Sequence, residues 1–349
     1  MIRATPHLLS RVASSVYWMA RYIERAENVA RFITVNMHLQ LDMPLVPAHQ
    51  WQPLIDTSGD SKTFAKRYGE ATQDNVIQFL TADRNNPNSI VSCLRAAREN
   101  ARSVRETIST GMWEQINSIY LHVQRQQTML ARDSLPEILR SIRLGCLLVQ
   151  GITDATMSHT AAWQFLILGR MLERADKTSR ILDVKYFILL PAPTVVGTPY
   201  DDLHWAAVLK SVGGFEMYRK THGHIDPYDI VDFLVMDRDF PRSIHHCINR
   251  ADGCLHAITG SPNGSYRNAS ERWMGLLRSE LDFTSVDQIM RDGLHEYLDL
   301  LQVKMNNIGD LLQNDFFDLR PAVASPAPAP TQTPVAGNRG AAPRGGLRI

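Results

Sequence analysis

The chain is expected to fold as an all-α protein, an internally duplicated helical bundle whose two quasi-equivalent halves sit about a pseudo-two-fold axis. Three observations predict it. No stretch shows apolar and polar residues alternating long enough to make a strand. Two long segments, opening near Leu9 and near Ser158, carry apolar residues at three- and four-residue spacing. The chain also reads twice. Arg21, Glu24, Arg25, Ala26, acidic Glu27 and Arg31 match Arg170, Glu173, Arg174, Ala175, acidic Asp176 and Arg180 at an offset of 149. Further along, Phe79, Leu80, Asp83, Arg84, Pro87, Ser89, Ile90, Cys93 and Ala97 recur identically as Phe233, Leu234, Asp237, Arg238, Pro241, Ser243, Ile244, Cys247 and Ala251 at an offset of 154. Trp51, Leu54 and Ile55 keep that offset against Trp205, Val208 and Leu209.

The elements follow in order. A long helix is expected from Leu9 to about Leu41, closed by Pro44 and Pro47. At 100° per residue, Met19, Tyr22, Ile23, Ala26, Val29, Ala30 and Ile33 share one arc, and Tyr17, Arg21, Glu24, Arg25, Asn28 and Arg31 share the opposite one. Short helices fill Leu45 to Thr81, then Asp83 to Asn88 turns into a proline-started helix from Ser89 to about Ser109. Another helix runs past Gly111 to about Ala131. Ser134-Leu135-Pro136-Glu137 reads as a capping box opening a helix to about Asp154, which ends the first repeat (about 7–154).

The second repeat (about 155–320) opens with the long helix carrying Glu173-Arg174, which stops before Pro191. Short helices over Asp201 to Leu234 follow, then a helix from Pro241 to Thr259, a Gly260 to Gly264 loop and two more helices, the last from about Ser285 to Phe317. Residues 1–320 thus make one duplicated domain. Pro321 to Ile349 turns to Pro, Ala, Gly and Thr, too poor in apolar surface to offset its ordering entropy, and is expected to be a disordered tail.

Composition narrows the function. A net charge of +1 argues against a general nucleic-acid surface. Only seven of the 37 basic residues are lysine, and the excess of arginine suits buried ion pairs or an anionic ligand without choosing between them. Cys93, Cys146, Cys247 and Cys254 have no C-x-x-C or finger spacing, which fits a reduced compartment. Arg11 and three serines interrupt the apolar run from Leu8 to Ala20, so neither a leader peptide nor a membrane span is expected, and the location is expected to be cytoplasmic.

The paired Glu-Arg helices, with Ser89-Ile90 leading into Ala97-Arg98-Glu99-Asn100-Ala101-Arg102, resemble the bacterial alpha-E family, an all-helical domain named for its ER motif. The resemblance spans roughly Leu9 to Phe316. Members are typically encoded or fused beside a circularly permuted ATP-grasp protein and often a transglutaminase-like peptidase. ATP-grasp enzymes make amide bonds through acyl phosphates. The resemblance therefore implies an accessory or substrate-positioning partner of an ATP-dependent amide- or peptide-bond-forming system, with ATP bound by the partner and no cofactor on this chain.

The residues offer one chemical cluster with two readings. Arg21, Glu24, Asn28 and Arg31 form a polar stripe at helical spacing, and Arg170, Glu173, Lys177 and Arg180 form its copy. Recurrence of both motif residues in two diverged copies implies that Glu24, Arg25, Glu173 and Arg174 are at least partly buried. They then either pair across the halves as structure or hold an anionic substrate. The Asp83-Arg84 and Asp237-Arg238 turns suit caps for the helices that follow, or would lend arginine forks to a shared cleft. Arg98, Glu99 and Arg102 are expected to face the same interior. Cys93 and Cys247, without a fixed histidine, read as small core residues. No Glu-x-x-His bundle signature is present, Asp201-x-x-His204, His222-x-His224 and His245-His246 are weak metal leads, and there is no phosphate-cradling glycine loop or G-x-S-x-G turn.

Overall fold

The computed structural model describes residues 8–42, 51–126, 134–189 and 199–318, and every regular element among them is helical. α1 (Ser10–Asp42) is followed by three short helices, α2 (Gln52–Ser58), α3 (Ser61–Tyr68) and α4 (Gln73–Thr81). Then come α5 (Ile90–Ser103), α6 (Thr110–Gln126), α7 (Leu135–Thr156) and the second long helix α8 (Ala161–Leu189). Short helices return as α9 (Pro199–Val212), α10 (Phe215–Thr221) and α11 (Pro227–Val231), the last running into a π-helical turn at Asp232–Met236. α12 (Ile244–Thr259), α13 (Ala269–Phe283), α14 (Val286–Asp292) and α15 (Leu294–Leu312) complete the chain, with a second π-helical turn at Gln313–Phe317. The expected tail from Pro321 lies outside the described residues.

The long helices form the centre of the described helical domain. α1 and α8 lie against each other, α5 and α7 cover α1, and α12 and α15 cover α8. Both are therefore surrounded: Trp163 and every residue from Phe165 to Ser179 are buried, as is almost all of α1 from Ile23 to Ile33. A helix enclosed in this way has little solvated face, so the polar arc read from the α1 sequence is largely interior as well, with Arg21 and Arg25 at its partly exposed edge. The two backbones come very close at Gly169, where a β-carbon would run into the carbonyl oxygen of Tyr17. Only glycine permits that approach.

Local chemistry explains most of the ends. Ser89 caps α5 by accepting the Ser92 amide at 3.2 Å, and Ser243 caps α12 by accepting the His246 amide at 3.1 Å. Three expectations need correction. Ser134 has helical backbone angles (φ −96°, ψ −10°) and its side chain does not cap, so α7 starts at Leu135 without the capping box. α5 ends at Ser103 rather than near Ser109, with Val104 (φ −130°) completely buried as its C-cap. The final helix breaks in two because Gly293 adopts φ +105°, ending α14 and starting α15.

Candidate functional site

The paired motifs meet at the α1/α8 contact, and they cross. Arg25 of α1 donates from Nε to Glu173 Oε1 at 2.7 Å and from Nη2 to Glu173 Oε2 at 2.9 Å. In return Arg174 of α8 donates from Nε to Glu24 Oε1 at 2.9 Å and from Nη2 to Glu24 Oε2 at 3.1 Å. Both carboxylates have zero exposure. Each arginine is thus bidentate to the glutamate of the other long helix, the geometry in which a guanidinium fork binds a carboxylate best. The spare Nη1 groups are fixed too, Arg25 to Asn88 Oδ1 at 2.7 Å and Arg174 to the Pro241 carbonyl at 3.1 Å.

Further cations converge on each carboxylate. Glu173 also accepts Arg21 Nε at 2.8 Å, and Lys177 stands 4.0 Å away. Glu24 also accepts Arg242 Nη1 at 2.9 Å and Gln150 Nε2 at 2.9 Å. Burial alone would raise the carboxyl pKa values, but the facing guanidinium groups outweigh it. Arg174 and Arg242 pull Glu24 down to about 2, and Arg25 and Arg21 pull Glu173 well below the ordinary range. The same pairing holds Arg25 and Arg174 above the ordinary guanidinium value against burial, and Tyr17 together with Glu173 does so for Arg21. Both glutamates are therefore ionised and saturated with donors, which leaves neither as a proton acceptor near neutral pH.

A second tier of pairs flanks the crossing. Arg31 binds Glu27 four residues earlier and donates from Nη1 to the Val212 carbonyl at 2.6 Å, while Arg180 Nε binds Asp176 Oδ1 at 2.9 Å. Arg31 lies over Gly213 and Arg180 over Gly59, two glycines 154 positions apart that both have φ +78°. At Gly213 the guanidinium occupies the place a β-carbon would take. Lys177 Nζ is 3.2 Å from Asp176 Oδ2, and Arg242 Nη2 is 3.1 Å from Glu27 Oε2.

Not every expected residue joins. Arg170 turns away from the carboxylates to Asp154 Oδ2 at 3.5 Å, and its buried Nη2 has no hydrogen-bond partner. It lines a small cavity with Gln150, Thr153 and Met112, and burial lowers its pKa. Asp83 accepts the Asn85 amide at 2.9 Å and pairs with Arg67 at 2.7 Å, while Asp237 accepts the Asp239 amide at 2.8 Å and the Phe240 amide at 2.6 Å. Those aspartates organise turns. Arg84 is exposed, and Arg238 reaches Asp282 on the surface at 3.0 Å. Arg98, Glu99 and Arg102 do not face the interior as expected. They make a surface chain in which Glu99 bridges both arginines at 2.8 Å, and Arg98 also reaches Asn117 on α6 at 2.7 Å.

Three participants were missed from sequence: Arg242, Gln150 and Asn88, which accepts Arg25 Nη1. Arg242 stands 154 positions after Asn88, so the matching stretch that exposed the neighbouring proline and serine concealed it. Gln150, which also accepts Arg174 Nη2 at 3.3 Å, lies on α7 with no motif around it. Cys93 and Cys247 are fully buried, their thiols pushed up to about 12 by burial, with Sγ facing the Pro87 and Pro241 carbonyls at 3.7 and 3.6 Å. They are unreactive core residues. Among the described residues no three His, Cys, Asp or Glu side chains come together to hold a metal ion, and no helix is long and apolar enough to cross a membrane.

The chain is 24% identical over 327 residues to uncharacterized proteins of Mycobacterium bovis (Mb2597) and Mycobacterium tuberculosis (Rv2567). The matched region covers 86% of this chain and 36% of those relatives, so the chain spans about a third of their length. No solved structure matches it significantly. A family described as a predicted alpha-helical domain with a conserved ER motif matches residues 8–317, so the chain belongs to the Alpha-E family.

Proposed function

We propose that this chain is a non-catalytic helical module held closed by its own ER motifs, and that it works in the cytoplasm as an accessory, substrate-positioning partner of an ATP-dependent amide- or peptide-bond-forming enzyme of the circularly permuted ATP-grasp kind. The crossed bidentate pairing of two fully buried carboxylates carries the first half of the reading. Charges so placed act as a clasp between two halves related by an approximate two-fold axis, because opening it would strand both glutamates and their arginines in a low-dielectric interior. Matched contacts at Gly59 and Gly213, at Ser89 and Ser243, and at Cys93 and Cys247 support that symmetry.

The partner half rests on the family resemblance and on the length of the relatives, in which this region is joined to nearly twice as much further chain. A domain without a free acid, base or nucleophile at its most polar point fits beside an enzyme better than in place of one. A second reading, an anion site at the edge of the cluster, is favoured by one observation. Within the cluster seven cations (Arg21, Arg25, Arg31, Arg174, Lys177, Arg180 and Arg242) face four carboxylates (Glu24, Glu27, Glu173 and Asp176), and the Arg21 and Arg25 side chains keep 15% and 16% exposure.

The test is recovery of the tagged chain from its native cells, followed by an assay of ADP release. An ATP-grasp protein at near-stoichiometric yield, whose ATP turnover on an acidic peptide depends on adding this chain, is the expected result. Repeated recovery of no such protein would overturn the partnership. Separating the readings needs Arg21→Gln: loss of that turnover at unchanged melting temperature favours the anion site, and lost stability with turnover retained favours the clasp.

A further inference from the structure

We infer that α7 is the self-association surface of this protein, pairing antiparallel with α7 of a second copy across a two-fold axis near Leu147 and Leu148. The inference stands on the outer face of one helix and does not depend on the function proposed above. The inner face of α7 packs through Ile138, Leu139, Ile142, Cys146, Val149 and Thr153. On the opposite face Leu144, Leu147 and Leu148 are 49%, 40% and 52% exposed, and Gly151 and Ala155 continue the same line. At 100° per residue these positions, with Arg140 and Asp154, fall within one arc of about 120°. Three large adjacent leucines facing solvent on a rigid helix form a patch that a monomer seldom carries without use.

Two independent features identify the occupant. The first is Gly151. A glycine inside a helix is destabilising relative to alanine, and a β-carbon at Gly151 would meet nothing in this chain, so packing within the molecule gives no reason for it. A second helix approaching closely does, since small residues four apart, here Gly151 and Ala155, let two helix backbones come together. The second is charge. Arg140 lies toward one end of the stripe and Asp154, half exposed, toward the other. An antiparallel pair centred between Leu147 and Leu148 sets Arg140 beside the partner copy's Asp154 at both ends and lays Leu144 over the partner copy's Gly151. A parallel pair would instead set arginine against arginine. The stripe is complementary to itself in one orientation, which is the requirement for a two-fold interface.

The experiment is sedimentation of the full chain over a range of concentrations, wild type beside Leu147→Glu/Leu148→Glu. Both leucines are exposed, so the variant is expected to fold, and its melting curve checks that. The expected result is a wild-type dimer and a variant whose dimer dissociates at least 100-fold more readily with unchanged melting. Cysteine cross-linking fixes the orientation and covers the case in which the variant misfolds. The native cysteines are all buried and do not compete. In the antiparallel pair, positions 144 of the two copies lie about 10 Å apart, so Leu144→Cys alone does not link while Leu144→Cys/Gly151→Cys does. A wild type that stays monomeric, including one that instead takes up a different protein, overturns the inference. So does a dimer that survives the double glutamate, or a link formed by Leu144→Cys alone.

Discussion

The two buried carboxylates present the same problem and solve it with different residues. Around Glu173 every cation comes from the long helices: Arg21 and Arg25 from α1, and Lys177 from α8 itself. Around Glu24 the bidentate partner Arg174 is the match of Arg25, but Arg170, the match of Arg21, does not arrive. Arg242 takes its place from the turn before α12, at the position where the first repeat has Asn88. A buried carboxylate requires several donors, because its desolvation is offset only when its lone pairs are filled. Which backbone position supplies them is free to change. The lesson is that the motif fixes the pair, while the surrounding donors differ between the two carboxylates.

The comparison breaks most completely when a carboxylate is removed. Glu173→Ala should cost roughly 3–5 kcal/mol in urea unfolding, since Arg21 and Arg25 are left buried without a counter-charge. Glu24→Ala should cost at least as much, because Arg174 and Arg242 are both almost fully buried. Next comes the close approach beneath the pairs, where Gly169→Ala forces a methyl group against the Tyr17 backbone and should cost about 1–3 kcal/mol by the same measurement. Arg242→Ala against Arg170→Ala sharpens the contrast between the two nests. The first should be the more destabilising by about 1–2 kcal/mol, because it strips a charged hydrogen bond from Glu24 and another from Glu27, whereas the second removes a group already short of partners. Equal losses would mean that Arg242 has not replaced Arg170. At the small end, Arg102→Ala in the exposed surface chain should fall within about 0.5 kcal/mol of wild type.

Acid should open the clasp in a defined window. Glu24 is held near 2 against an ordinary 4.5, and Glu173 is also depressed. A carboxyl whose folded pKa is depressed stabilises the fold above its unfolded value and loses that contribution as pH falls toward the folded one. Unfolding free energy measured from pH 6 down to 2 should therefore fall mainly below about 4.5, and Glu24→Gln should flatten that fall.

The sequence shows the helical class and the recurring motif because both depend on short-range spacing, three or four residues along a helix, and on recurrence at a fixed offset, while the crossing itself appears only once α1 and α8 are packed. It does not show Gln150 or Arg242, whose roles come from which helix happens to lie beside Glu24. The turns at Asp83 and Asp237 illustrate the converse. Their recurrence marks them as constrained, and the constraint is a hydrogen-bonded corner rather than a ligand. Arg98, Glu99 and Arg102 are expected to face inward from sequence, yet the inner face of α5 is taken by Ile90, Val91, Cys93, Leu94, Ala97 and Ala101. The break at Gly293 stayed hidden because a glycine inside an apolar periodic run signals a stop only when its backbone angle is known.

The most direct test of the clasp is a double-mutant cycle on Arg25 and Glu173, using Arg25→Met, Glu173→Leu and both together, followed by denaturant unfolding. If the crossed pair locks the halves, each single change should cost roughly 3 kcal/mol or more, and the double should cost much less than their sum because it leaves no orphaned charge on that pair. Single losses of less than about 0.5 kcal/mol, the scale of an ordinary surface substitution, or losses that simply add, would contradict the account.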